Sequence, residues 1–258
     1  MPIAIPDAVE RLIKGRLARE MPAPLTEIAP DLTLERAYEI QRALEQALVT
    51  RGERVIGWKV GFTSQALQQS YGVPEPVFGF MLASGVFSSG DAVPSSRFVG
   101  LAVEVETAFR MKADLSGPGA TAASALSAVG AVIPSFELID FRISGKPRGA
   151  DVVADGVYAN AIVLGSPVPL PPGFDLAQES VVFEHNGQVV ATNITGEVMG
   201  SPLNSLAWLA NALARTERRL RAGDVVLTGS ICKVLRPKAG ESIGASFTRL
   251  GSVSCRFV

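Results

Sequence analysis

From residue 53 onward the chain breaks into short apolar runs punctuated by glycine and proline, and this punctuation constrains the fold more than any other feature. The runs at 54–62, 85–93, 100–111, 135–141, 158–164, 180–185, 188–192, 224–229, 241–248 and 252–257 have the length and the Val, Ile and Phe content of strands. Helical spacing interrupts them at 64–71, closed by Gly72, at 122–132, and at 203–220, stopped by Gly223. That order is not a regular β-α-β alternation. It predicts an α+β fold with a mixed, curled β-sheet core, roll- or barrel-like, flanked by helices. Asn186-Gly187 between two strand-like runs signals a hairpin, and 113–124 and 143–151 read as surface loops.

The first fifty residues carry the other period. Val9, Leu12, Ile13 and Leu17 recur at helical spacing behind Asp7, a candidate N-cap. Leu34, Tyr38, Leu44 and Leu48 repeat the pattern until Gly52 ends it. The 258 residues therefore divide into an N-terminal helical region, 1–52, and a larger domain, 53–258. Lys plus Arg number 24 against 25 Asp plus Glu, which leaves no footprint for nucleic acid or an anionic membrane. No run approaches the roughly 18 apolar residues of a membrane helix. The N-terminus, with Asp7 and Glu10, lacks the apolar core of a secretory signal. Cys232 and Cys255 form neither a CxxC pair nor a disulfide framework, so a reduced, cytoplasmic setting is expected.

One strand-like run carries an anomaly. In GLAVEVETAF (100–109), alternation points Glu104 and Glu106 to one face, beside Ala102 and Ala108, and gives the other face to Leu101, Val103, Val105 and Phe109. Two like charges so close repel, and burying either without a partner costs several kcal/mol. Either that face meets water or a cation sits between the carboxylates. IPSFELIDFR (133–142) repeats the anomaly, with Glu137 among Phe136, Leu138, Ile139 and Phe141. Three carboxylates from two strands would suit one divalent cation; the competing reading pairs Glu137 with Arg142 or a lysine. Lys59, in RVIGWKVGF (54–62), either reaches the surface along its stem or lies buried near carboxylates, where it can donate a proton or hold an anion. Gly57 and Gly61 on either side point to a close backbone approach by a strand or a ligand. Thr228-Gly229-Ser230 offers hydroxyls and amides, though by itself it reads as an ordinary turn. The single histidine, His185, lies in the hairpin, which leaves a serine triad without its base and zinc without its ligands. A metal site in this chain must be built from oxygens, which selects magnesium, manganese or calcium.

In order, GWKVGFTSQ (57–65), GVPEPVFG (72–79), VEVETAF (103–109), PSFELIDFR (134–142), VVADG (152–156), GSPLNSLAWLAN (200–211), GDVVLTGS (223–230) and LGSVSCRF (250–257) resemble the blocks of one family. It is that of the 2-keto-4-pentenoate hydratases and 4-oxalocrotonate decarboxylases, within the fumarylacetoacetate hydrolase-like fold group. The resemblance covers nearly the whole chain. It implies that Glu104, Glu106 and Glu137 hold Mg2+ or Mn2+, that Lys59 is the acid/base and carboxylate anchor, and that Ser230, Gly229 and Thr63 bind substrate. It implies a lyase of aromatic-compound catabolism: a hydratase adding water to a 2-hydroxy-2,4-dienoate to give a 4-hydroxy-2-oxo acid. A 4-oxalocrotonate-type decarboxylase is the alternative on the same scaffold, and a non-catalytic partner subunit a third. An acylpyruvate-type C–C hydrolase is disfavoured, because no histidine is placed to activate water. The resemblance further implies a homo-oligomer able to associate with a related decarboxylase or hydratase. Val77 departs from the aspartate that hydratases commonly carry and leans towards the decarboxylases, whereas Ser201-Pro202-Leu203-Asn204 and Thr228-Gly229-Ser230 follow the hydratases. Gly156 stands where Asp-Asn is usual, and Glu197 is either an exposed charge or a replacement for the missing aspartate.

Overall fold

The computed structural model describes residues 3–171 and 173–258; Met1, Pro2 and Pro172, the first two within the expected helical region, lie outside it. Three helices open the chain: α1 (Ile5–Ala18), α2 (Leu25–Ile28) and α3 (Leu34–Thr50). Thr33 caps α3 by accepting the Arg36 amide at 3.2 Å, and α3 buries Ala37, Ile40, Leu44 and Leu48 along one stripe. Asp7 is not a cap. α1 begins before it, with Pro6 in the first turn, where a fixed φ and a missing N–H cost nothing, and Asp7 places its charge at the positive end of the helix dipole. Four further helices follow: α4 (Gln65–Tyr71), α5 (Ala122–Ala128), α6 (Gly149–Ala154) and α7 (Pro202–Ala214).

The strands are β1 (Val55–Gly61), β2 (Val77–Leu82), β3 (Val86–Ser88), β4 (Ala92–Val93), β5 (Leu101–Met111), β6 (Val129–Asp140), β7 (Ala159–Leu164), β8 (Ser180–His185), β9 (Gln188–Ile194), β10 (Val225–Leu227), β11 (Ser242–Phe247) and β12 (Gly251–Phe257). One sheet runs β2-β1-β10-β5-β6-β7-β3 and is mixed: β1 is parallel to β10 and β7 to β3, the other pairs antiparallel. The second runs β4-β12-β11-β8-β9. β2 also packs near β7, four strands beyond its own neighbour β1, so the larger sheet is curled, as expected, into a half-barrel. Leu12, Ile40 and Leu44 of the N-terminal helices share one buried cluster with Phe78, Val105 and Phe136 of the sheet.

Several boundaries differ from expectation, each for a local reason. The stretch 122–132 is helical only to Ala128. Its continuation carries the β-branched Val129, Val132 and Ile133 and pairs with β5, and β-branched side chains are stiff in helices but pack well on a pleat. The stretch 203–220 is helical only to Ala214, because the apolar positions stop there and Glu217 turns left-handed at φ 59°. β2 and α6 were not expected. The six residues of β2 are almost wholly buried, so they show no alternation, and α6 sits partly in the expected 143–151 loop. The run 85–93 splits into β3 and β4, which join different sheets. The Asn186-Gly187 hairpin forms as expected, both residues at positive φ (51° and 74°). No helix among the described residues is long and apolar enough to cross a membrane.

Candidate active site

β5 and β6 are the longest strands and pair antiparallel with Glu104 directly opposite Glu137. Cross-strand partners share a face, and so do residues two apart, so Glu104, Glu106 and Glu137 emerge on one side of the sheet. The same bookkeeping carries across two more strands. Ala108 pairs with Leu227 of β10, and Leu227 pairs with Lys59 of β1. Lys59 therefore joins the carboxylates, and strand pairing alone has gathered four charged residues from three parts of the chain.

Their surroundings are dry. Glu106 and Glu137 are fully buried, Lys59 is 3 % exposed and Glu104 is half-buried. Lys59 thus does not extend to the surface. Its Nζ stands 3.0 Å from Glu137 Oε2 and donates to the Val157 carbonyl at 3.4 Å. Glu106 Oε2 accepts the Gly229 amide at 2.7 Å. Glu106 Oε1 and both Glu137 oxygens have no hydrogen-bond donor among the described residues; the Lys59–Glu137 contact is an ion pair off the line of a hydrogen bond. Burial raises the Glu106 carboxyl well above its usual range, with Glu137 and Glu104 adding to the rise. Burial likewise raises Glu137, to about 7, although Lys59 opposes it. For Lys59, burial favours the neutral amine, but Glu137, Glu104 and Glu106 outweigh it and the pKa is raised.

One carboxylate oxygen from each of the three glutamates can be chosen so that all lie within 4.8 Å of one another. Oxygens bound to one divalent cation at about 2.1–2.5 Å lie no more than about 5 Å apart. Orphaned buried oxygens, mutual repulsion and an all-oxygen donor set together fit a hard divalent cation.

The TGS turn lies alongside. Gly229 adopts φ +117°, and a Cβ there would fall 2.5 Å from Thr63 Cγ2, so Gly229 and Thr63 are in contact. The Ser230 hydroxyl donates to the Cys232 carbonyl at 2.7 Å. Gly61 makes room for Val157, whose Cγ1 lies 2.6 Å from where a Cβ would be. Val77 pairs with Gly61 on the Lys59 face and is buried, so an apolar side chain stands there. Glu197 is exposed, in a 3-10 turn at 195–197. His185 Nε2 lies 2.8 Å from Glu241 Oε2 in the second sheet, away from the carboxylates. Cys232 and Cys255 are free thiols, both buried.

Val157 escaped the sequence reading. It and Tyr158 both sit at φ 58°, directly after Gly156 at φ 82°. A β-branched residue in the left-handed region is uncommon, so nothing in its identity announces the turn that aims its carbonyl at Lys59. Phe62, at φ 55°, stacks on Tyr71 with ring centroids 4.4 Å apart, and it too carried no signal.

Residues 54–258 match the family described as fumarylacetoacetate (FAA) hydrolase C-terminal. The chain is 33% identical over 256 residues to a 2-oxo-hept-4-ene-1,7-dioate hydratase of Escherichia coli, covering 96% of each. It is 40% identical over 206 residues to a 2-hydroxypent-2,4-dienoate hydratase of Pseudomonas putida, covering 79% of this chain and 93% of the relative. Among solved structures it superposes on a 4-oxalocrotonate decarboxylase of Pseudomonas putida G7, complexed with magnesium and adipate. The TM-score is 0.95 at 32% identity, over 98% of this chain and 97% of that one.

Proposed function

The chain belongs to the fumarylacetoacetate hydrolase family, and from that premise we propose that it is a divalent-metal-dependent lyase that adds water to a 2-hydroxy-2,4-dienoate, giving a 4-hydroxy-2-oxo acid. The observation that carries this reading is the convergence of Glu104, Glu106 and Glu137 around one buried spot with Lys59 at its edge. In it the three glutamates hold Mg2+ or Mn2+, Lys59 is the acid/base, and Thr63, Gly229 and Ser230 line the substrate. Residues 1–52 are the helical region framing a catalytic domain over 53–258. The reading includes a homo-oligomer able to associate with a related decarboxylase or hydratase.

A divalent cation at the glutamates supplies a Lewis acid that stabilises negative charge on the C2 oxygen of the substrate. The remaining work falls to the chain. Lys59, kept charged by the glutamates, delivers the proton that the dienol takes at C5, and the proton leaving the C2 hydroxyl restores the ammonium. Water then adds across the resulting α,β-unsaturated 2-oxo acid, its hydroxyl to C4 and its proton to C3. The Val157 carbonyl and Glu137 hold the Lys59 ammonium in one place between turnovers. The Gly229 amide orients Glu106 so that Oε1 is turned to the cluster. Val77 and Val157 pack beside Lys59 and exclude water from its flank.

Val77 also supports a second reading. With an apolar side chain on the Lys59 face at that position, no carboxyl group from β2 assists the lysine. A decarboxylase of the 4-oxalocrotonate type, where one proton donor replaces the departing carbon dioxide, suits that arrangement. Purified protein with magnesium or manganese should be assayed in parallel on 2-hydroxypenta-2,4-dienoate, by loss of diene absorbance, and on 4-oxalocrotonate, by carbon dioxide release. Loss of the diene is the expected result. Carbon dioxide release alone would replace the hydratase by the decarboxylase, and no turnover of either would overturn both.

A further inference from the structure

On the reading of this site as a 2-hydroxydienoate lyase, we propose that Arg236 binds a second carboxylate, so that the substrate is a dicarboxylic rather than a monocarboxylic 2-hydroxydienoate. The placement of Arg236 follows from backbone pairing. After β10 the chain continues beside β5, first through the Gly229 amide to Glu106, then through the Ile231 amide to the Val105 carbonyl at 2.8 Å. Leu235 and Val103 exchange both backbone hydrogen bonds, at 2.8 and 3.1 Å. Leu235 therefore shares the Val103 face and packs on the core. Arg236, one residue further and held extended by Pro237 behind it, emerges on the opposite face, that of Glu104.

Phe141 marks where the guanidinium comes to rest. It follows Glu137 and Ile139 by even steps and so begins on the carboxylate face, and Arg236 Cζ lies 4.5 Å from its ring centroid. Tyr71, stacked on Phe62, lies between the two charges: beyond the effect of burial, its hydroxyl feels both Arg236 and Glu104. Arg236 is exposed, and among the described residues it makes no ion pair or hydrogen bond. A guanidinium spread on an aromatic face with its edge unoccupied presents two parallel N–H donors, the geometry that receives a carboxylate in two hydrogen bonds.

The separation favours an elongated substrate over a short one. Four residues of extended chain from Glu137 to Phe141 span about 13 Å. An elongated diacid whose 2-oxo acid end lies at the glutamates extends its far carboxylate along that run, towards Arg236. A five-carbon monoacid ends in an uncharged carbon and leaves the arginine unused.

The test compares wild type, Arg236→Gln and Arg236→Lys, all loaded with Mg2+. Turnover is measured on 2-hydroxyhepta-2,4-diene-1,7-dioate and on 2-hydroxypenta-2,4-dienoate, and calorimetry measures binding of adipate and hexanoate, which do not react. Wild type should favour the diacid through a lower KM and bind adipate about tenfold or more tightly than hexanoate, as a charge-assisted pair does. Arg236→Gln should collapse both ratios, and Arg236→Lys should recover part of each. Ratios in Arg236→Gln equal to those of wild type would overturn the proposal, as would wild type that binds adipate no better than hexanoate. Absence of all turnover together with an Arg236-dependent preference for adipate would uphold the anion subsite and sink the lyase reading instead.

Discussion

Glu106 has one oxygen committed to the Gly229 amide, the other without a donor, and no surface exposed to water. A carboxyl group so placed is protonated or cation-bound, because a bare buried anion is too costly. Glu106→Gln keeps the shape and the acceptor for Gly229 while removing the ligand charge. Metal-dependent turnover should be lost while the thermal midpoint of the metal-free protein stays level or rises; metal-stimulated turnover in this variant would remove Glu106 from the ligand set. Lys59 makes the complementary case. Lys59→Met should lower kcat by about 10²–10⁴-fold if the lysine is the proton donor. It also strands Glu137, and breaking a buried pair costs about 3–5 kcal/mol. The loss of stability should therefore be larger without Mg2+ than with it. Equal losses in the two conditions would mean that the cation and Lys59 do not share Glu137.

At the scale of elements, the site depends on segments that approach one another more closely than side chains allow. Gly61 at the end of β1 faces the turn after α6, where Gly156, Val157 and Tyr158 run left-handed. Gly61→Ala would set a methyl 2.6 Å from Val157 Cγ1 and push the turn away from Lys59. A destabilisation of about 1–3 kcal/mol in urea unfolding is expected, together with reduced turnover, since the displaced carbonyl is the one that holds the ammonium. Unchanged stability and turnover would show that this contact does not position the lysine. The same turn is tied down from outside. Arg142, fully buried, meets Asp155 Oδ2 at 2.7 Å, and Arg16 of α1 donates to the Asp155 and Ala159 carbonyls, so an N-terminal helix helps hold the turn that reaches the site.

For the whole molecule, the buried glutamates couple stability to pH and to metal. In the metal-free protein the Glu137 carboxyl titrates near 7, above its ordinary value of 4.5, so between these values the folded state holds a proton that the unfolded chain has released. Stability from this group is complete below about pH 4.5 and lost as pH rises through 7. With chelator present, the thermal midpoint should fall across that window by on the order of 5 °C. Added Mg2+ or Mn2+ displaces the proton, so the metal should bind more tightly as pH rises and cancel the fall. A midpoint equally flat with and without metal over pH 4.5–7 would contradict the burial of three interacting carboxylates.

Periodicity in the sequence is enough to determine the α+β class, the N-terminal helices, most strands and the hairpin at Asn186-Gly187, because these follow from local spacing and turn chemistry. It also exposes Glu104, Glu106, Glu137 and Lys59, since charges inside apolar runs stand out in a linear reading. It does not show β2 or the early end of α5, where burial on both faces erases alternation and pairing with a neighbouring strand overrides helical spacing. Nor does it show that Lys59 meets Glu137, that Val157 turns its carbonyl to the lysine, or that Arg236 comes to rest over Phe141. Those contacts join residues 78, 98 and 95 positions apart, and the register of one curled sheet decides them together with the segments packed against it, the turn after α6 and the run after β10. Local sequence carries the spacing of residues along a strand; only the folded sheet sets which strand lies next to it.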